Sequence, residues 1–312
     1  RKIVTYRSFS GSDDLDYYGG HGTHVAGSVA GSAQSSVSAE QTATAADPGP
    51  SRPATIANGL EPGAISPPIS SRKVEPSLAA MTPDSSHERL NAISRRLGGI
   101  QRYLEIGVAK GSTFFAVQAA QKHAVDPRFR FDPTSRRAFS NETYHPITSD
   151  QYFHASLGNE RPFDLIFLDG LHTYSQTLRD FLASQALAHS RTVWLIDDTV
   201  PSDPIAADPD LQRVQAARRA EDRENDQTWM GDVFKVVAFI DAFCPQYTCL
   251  TLEGHGQTVV LPLPRATQNG CFTSVEAIEK LTYVDVLLLR ESLLAPVSLD
   301  CVLEAIDQLP AA

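Results

Sequence analysis

Two apolar runs in this 312-residue chain end in groups that can do chemistry. The run FDLIFLDGLHTY ends at Asp169, with His172 three residues on, and TVWLIDDT ends at Asp197 and Asp198. On adjacent parallel strands the three carboxylates would converge at one sheet edge. Carboxylates pushed together repel and raise one another's pKa unless a cation sits among them. Hard oxygen donors of this kind favour Mg²⁺ over zinc. A divalent ion there can bind a hydroxyl and lower its pKa. His172, with an ordinary pKa of about 6.5, can take up a hydroxyl proton near neutrality. The plainer alternative is that Asp169 and Asp197 cap helices while His172 packs.

A second constellation precedes these. In YLEIGVAKGSTFFAV, Glu105 ends an apolar run, and Gly107 and Gly111 bracket a tight loop into a helix. Glycine permits positive φ and close backbone approach, and a helix N-terminus attracts negative charge. Ala109 stands where a GxGxxG fingerprint needs its middle glycine, which argues against a nicotinamide cofactor. The next run ends at Asp126, 21 residues after Glu105. That is the spacing at which an acidic residue on the neighbouring strand reaches ribose hydroxyls; a turn before Pro127 is the alternative. Asp150, in PITSDQYF, suits either an adenine amine or the start of a short helix.

The elements that must position these residues are short apolar runs separated by helical stretches. The runs are 102–107, 122–126, 164–169 and 192–197, with helices expected over 113–121 and 174–188. A first helix over HERLNAISRRL has Asp84, Ser85 or Ser86 to cap it and Gly98-Gly99 to stop it. This alternation predicts an α/β fold with a parallel sheet covered on both faces. A helix over 233–243 and a hairpin, 249–252 with 258–261, close the pattern. Two short helices are expected over 275–281 and 299–309. The stretch 201–227 reads as a lid or a solvated helix, and Trp229 as part of an acceptor pocket or of the core.

LEIGVAKGST, AVDP, TSDQYF, FDLIFLDGLHTY and WLIDDTVP, in this order, resemble the class I S-adenosylmethionine-dependent methyltransferases over residues 85–262. The nearest branch is that of small-molecule and sugar O-methyltransferases and the catechol-type enzymes. The resemblance implies a Rossmann-like, doubly wound, mostly parallel seven-stranded sheet with a C-terminal antiparallel hairpin. It places Glu105, Gly107 and Gly111 around the methionine part of S-adenosylmethionine, Asp126 at the ribose and Asp150 near the adenine. It matches Asp169, Asp197 and Asp198 to the magnesium ligands of the metal-dependent members. His172 falls where the catechol-type enzymes carry a lysine base.

The N-terminal segment is different in kind. GGHGTHVAGSVAG resembles the catalytic-histidine motif of subtilisin-like serine proteases, with His21 as the base. A triad needs an Asp and a Ser partner, and neither family motif occurs in the chain, so residues 1–31 read as a fragment of that fold. Residues 32–84, rich in Ser, Ala and Pro, bury too little apolar area to offset chain entropy and read as a disordered linker. Residues 263–312 read as a helical extension.

Composition narrows the partners. Hydrophobic residues make up 42% and the net charge is −10, which disfavours a nucleic-acid partner held through phosphates. No apolar run is long enough to span a membrane. Four dispersed cysteines and no signal-peptide core point to a reducing, cytoplasmic setting. The expected activity is S-adenosylmethionine-dependent methylation of a small hydroxylated acceptor, with Mg²⁺ assisting. The competing readings are an inactive protease fragment and a cofactor-binding module without chemistry.

Overall fold

The computed structural model describes residues 85–136, 139–265 and 272–311. The protease-like motif with His21, the 32–84 segment and Cys271 lie outside the described residues.

Five strands pair in parallel because a helical segment between successive strands returns the chain to the starting edge. They are β1 (Arg102–Ile106), β2 (Gln121–Val125), β3 (Glu142–His145), β4 (Phe163–Leu168) and β5 (Ala188–Ile196). Two more, β6 (Thr248–Thr251) and β7 (Thr258–Leu261), form a hairpin, and β7 joins β5 antiparallel. The sheet order is β3-β2-β1-β4-β5-β7-β6. The order reverses between β1 and β4, and at such a switch point the strand ends leave a crevice.

Both faces are covered, which is why the central strands are mostly apolar. Leu104, Ile166, Trp194 and Val260 face one core, and Tyr103, Phe167, Leu195 and Val259 the other. Burying each such side chain contributes about 2 kcal/mol. The indole N–H of Trp194 donates to Ser184 Oγ at 2.9 Å, so its burial strands no donor.

The helices are α1 (Ser86–Arg96), α2 (Ser112–Ala116), α3 (Ser149–Ser156), α4 (Tyr174–Ser184), α5 (Leu211–Ala220), α6 (Phe234–Phe243), α7 (Val275–Glu279), α8 (Tyr283–Leu289) and α9 (Leu299–Ile306). Ser85 caps α1, its backbone N–H donating to Glu88 Oε2. Leu299, Val302 and Ile306 of α9 enter the same core as Leu90 and Ile93 of α1, so α9 packs on the sheet's own helices. No described helix is long and apolar enough to cross a membrane.

Three expectations need correction. Helix α2 stops at Ala116 rather than continuing to 121: Val117 is extended, with φ −72° and ψ 132°, and Gln121 already pairs with Arg102. Strand β3 was not anticipated, because ETYH carries no apolar alternation; cross-strand ion pairing of Glu142 with Lys122 at 3.0 Å helps hold it. Among the described residues the C-terminal region holds three α-helices rather than two helices, the unforeseen one being α8, which runs on into a π-helical turn at Arg290–Leu294.

Candidate active site

The loop after β1 is shaped by its contacts. Gly107 has φ +86°, and a Cβ there would lie 1.8 Å from the Asp169 carbonyl oxygen, so the ends of β1 and β4 touch. Gly111, φ +81°, precedes α2, and a Cβ there would lie 2.4 Å from the Phe115 ring. Ala109 is also left-handed, at φ +46°, a conformation that costs a non-glycine residue about 1 kcal/mol. The loop is held by Asp126: Val108 and Ala109 N–H donate to its Oδ2 at 3.0 and 2.8 Å, and Arg128 N–H to its Oδ1 at 2.7 Å.

Glu105 is buried beside this loop and accepts from the Tyr103 hydroxyl at 2.6 Å. Burial pushes its carboxyl up to about 8, against the lowering effects of the Tyr103 hydrogen bond and the Lys122 charge. Asp150 lies in the first turn of α3, after Thr148, which accepts from Gln151 N–H. Its carboxylate is exposed, receives Gln176 Nε2 at 3.2 Å and pairs with Arg179 at 3.6 Å. Glu105, Gly107, Gly111 and Asp126 therefore gather around one loop, whereas Asp150 belongs to the α3–α4 surface.

The second constellation assembles at the ends of β4 and β5. His172 Nδ1 lies 2.6 Å from the Trp229 carbonyl oxygen and 2.7 Å from Asp198 Oδ2. A carbonyl only accepts, so Nδ1 carries the proton and Nε2 keeps its lone pair. Nε2 faces Asp169 Oδ1 at 3.6 Å. The imidazole stacks on the Trp229 indole, 4.9 Å between centroids and 16° from parallel. Burial alone would lower the His172 pKa; the hydrogen bond and charge of Asp198, the Trp229 carbonyl and Asp197 outweigh it and leave the pKa raised.

The three carboxylates do not all converge. Asp169 and Asp198, with His172, offer ligand atoms within 4.8 Å of one another. Asp197 instead receives Gln257 Nε2 at 3.2 Å and accepts the Asp198 backbone N–H. Successive side chains leaving a strand point to opposite sides, and Asp198, in the left-handed region at φ +61°, marks where the chain bends. Asp169 is pushed well above the carboxylate range by burial, then by the charges of Asp197, Asp198 and Glu105. Burial and Asp198 bring Asp197 up to about 6, against the opposing pull of His255 and Gln257.

Residues 104–199, spanning both constellations, match the family described as a methyltransferase domain. Over that segment the chain is similar to a methyltransferase domain. No curated protein matches it. Among solved structures it is similar to an O-methyltransferase from Bacillus cereus in complex with SAH (16% identity, 58% of this chain and 82% of the other, TM-score 0.38). It is also similar to the N-methyltransferase NodS from Bradyrhizobium japonicum (13% identity, 56% and 91%, TM-score 0.35). A third is the O-methyltransferase TomG from Streptomyces achromogenes in complex with SAM (16% identity, 58% and 92%, TM-score 0.36).

Several groups around this site carry little or no signal in the sequence. Gln257 holds Asp197 and accepts from Arg89 at 3.0 Å, yet sits in a hairpin with no motif around it. Asp232, which TWMGDVFKVV places near Trp229 and Lys235 in the sequence, accepts from Tyr174 N–H at 2.6 Å and so anchors the loop that carries His172. Gly231 is a further signal: a Cβ there would lie 1.6 Å from the His172 carbonyl oxygen.

Proposed function

We propose that the protein transfers a methyl group from S-adenosylmethionine to a hydroxyl of a small acceptor, with His172 as general base. The observation that carries this is the imidazole itself. Its Nδ1 proton is committed to Asp198 and the Trp229 carbonyl, leaving Nε2 as a proton acceptor at the strand end that abuts Gly107. An aspartate that orients an imidazole and stabilises its cation makes the other nitrogen a better base.

The cofactor supplies an electrophilic methyl on a sulfonium sulfur. Gly107 and Gly111 let a ligand approach the backbone, and Glu105 and Asp126 supply carboxylates for its amine and ribose. Asp150 is the candidate for the adenine edge. Nε2 of His172 would take the acceptor's hydroxyl proton as that oxygen bonds the methyl carbon, the carbon–sulfur bond breaking with its electron pair left on sulfur and S-adenosylhomocysteine leaving. Positioning of the two reactants accounts for much of the rate in such transfers.

The donors present fit a divalent ion. Asp169 and Asp198 offer carboxylate oxygens beside His172, whose Nε2 stays free to act as the base, with Asp197 behind them as a partner of Gln257. An ion such as Mg²⁺ held there supplies a Lewis acid that lowers the pKa of a bound hydroxyl. On this reading Asp169 serves as ligand and as the carboxylate nearest the base.

Titration calorimetry with S-adenosylmethionine and S-adenosylhomocysteine, followed by transfer of a labelled methyl to a panel of catechols and glycosides, tests the proposal. The expected result is binding of both cofactors and labelling of at least one hydroxylated acceptor. Absence of any binding heat, with no cofactor-induced rise in melting temperature, would refute it.

A further inference from the structure

We propose that Asp126 takes only one of the two ribose hydroxyls of the cofactor, because the loop after β1 fills one of its carboxylate oxygens. The inference rests on the reading of Asp126 as the ribose ligand.

Each carboxylate oxygen offers two lone pairs, so an ionised aspartate has about four places for a donor. Oδ2 of Asp126 receives the N–H groups of Val108 and Ala109, at 3.0 and 2.8 Å, and is filled by them. Oδ1 receives the N–H of Arg128 at 2.7 Å and keeps one lone pair. To grip both hydroxyls of a ribose, a carboxylate needs one open lone pair on each oxygen. Here one side of that fork is closed.

The surrounding backbone holds it closed. Ala109 sits in the left-handed region at φ +46°, and it is fixed at both ends: its N–H lies on Asp126, and its carbonyl accepts Arg130 N–H at 2.8 Å. Gly107 N–H donates to the Val125 carbonyl at 2.9 Å, and Asp126 N–H to the His145 carbonyl at 3.2 Å. The loops after β1 and β2 are therefore pinned to the sheet on either side of the carboxylate. Turning Asp126 so that both oxygens meet a ribose strips the Val108 and Ala109 N–H groups of their acceptor. Val108 is 4% exposed, so water does not replace it. A buried donor left unpaired costs about as much as the second hydroxyl's hydrogen bond would return. Asp126 thus serves the loop with one oxygen and the cofactor with the other.

Titration calorimetry of the full chain with S-adenosylhomocysteine and its 2′-deoxy and 3′-deoxy analogues gives two affinity ratios. Removing the hydroxyl that meets Asp126 is expected to weaken binding roughly 10- to 100-fold, the effect of one hydrogen bond to a charged acceptor. Asp126→Ala is expected to bring that ratio close to one and to leave the other ratio as it is in the wild type. Disturbance of the loop weakens all three ligands alike and cancels in the ratios. Asp126→Asn, which keeps an oxygen for the loop N–H groups, serves if Asp126→Ala does not fold or binds too weakly to measure, and should narrow the same single ratio. Collapse of both ratios shows a two-hydroxyl grip and overturns the proposal. Two unchanged ratios remove Asp126 from the ribose and overturn it as well. Failure of the wild type to bind S-adenosylhomocysteine refutes the cofactor reading itself and this proposal with it, so the two failures are told apart.

Discussion

His172 and Trp229 meet twice: the imidazole stacks on the indole at 4.9 Å, and Nδ1 sits 2.6 Å from the same residue's carbonyl oxygen. The partner that packs the ring also fixes which nitrogen carries the proton. Methyl transfer by His172→Gln is expected to fall by about 10²–10⁴. A base must be neutral to act, and the His172 pKa is raised above 6.5 by Asp198 and its other partners despite burial. Activity should therefore be low below that raised value and reach its plateau above it. Asp198→Asn removes a charge that raises the pKa, so the rising limb of the rate–pH profile should move to lower pH.

The proposed metal site separates two adjacent aspartates. Asp198 stands with Asp169 and His172, while Asp197 is held by Gln257. Mn²⁺ binding, followed by electron paramagnetic resonance of the free ion, is expected to be lost in Asp169→Asn and Asp198→Asn and kept in Asp197→Asn. Equal loss in all three would place Asp197 among the ligands.

Gly107→Ala is expected to destabilise the fold and abolish cofactor binding together. A Cβ at this position lies 1.8 Å from the Asp169 carbonyl oxygen, on a backbone with φ +86°. Strain in the left-handed region alone costs of order 1–3 kcal/mol, and relieving the clash must separate β1 from β4. Urea denaturation with and without S-adenosylhomocysteine measures both effects; a variant of wild-type stability that still binds would contradict the close approach.

Two buried groups should give stability opposite pH dependences. Burial raises Glu105 from 4.5 to about 8, so the folded state holds a proton that the unfolded state has lost. Its contribution falls as pH rises between these values, with a slope approaching about 1.4 kcal/mol per unit. Burial lowers His123 from 6.5 to about 4, and Arg102 beside it acts in the same direction, against Glu160. Its Nε2 lies 3.1 Å from Arg102 Nη2, a donor it can meet only unprotonated. Stability from this group is complete above 6.5 and is lost as pH falls toward 4. In urea titrations Glu105→Gln should flatten the alkaline side of the stability–pH curve and His123→Phe the acid side.

Much of the architecture was legible because it rests on local pattern. Four of the five parallel strands are apolar runs of the right length, and Gly107 and Gly111 stand where only positive φ serves the loop. The order Glu105, Asp126, Asp169, His172 follows from strand ends falling on one edge of a parallel sheet. Strand β3 was not legible, because its four residues take their stability from pairing with β2, not from their own hydrophobicity. The shortness of α2 was hidden because nothing in AVQAAQ forbids a helix; pairing of Gln121 with Arg102 decides it.

What the sequence determined by itself was which groups stand at the strand ends. Which of them act together was settled by tertiary structure alone. Asp197 and Asp198 are neighbours of one type, yet strand geometry sends one to Gln257 and the other to His172. Trp229 is 57 residues from His172. Such a pairing depends on where a long connection between β5 and α6 folds back, and no periodicity or motif in one dimension encodes the distance between two points on that path.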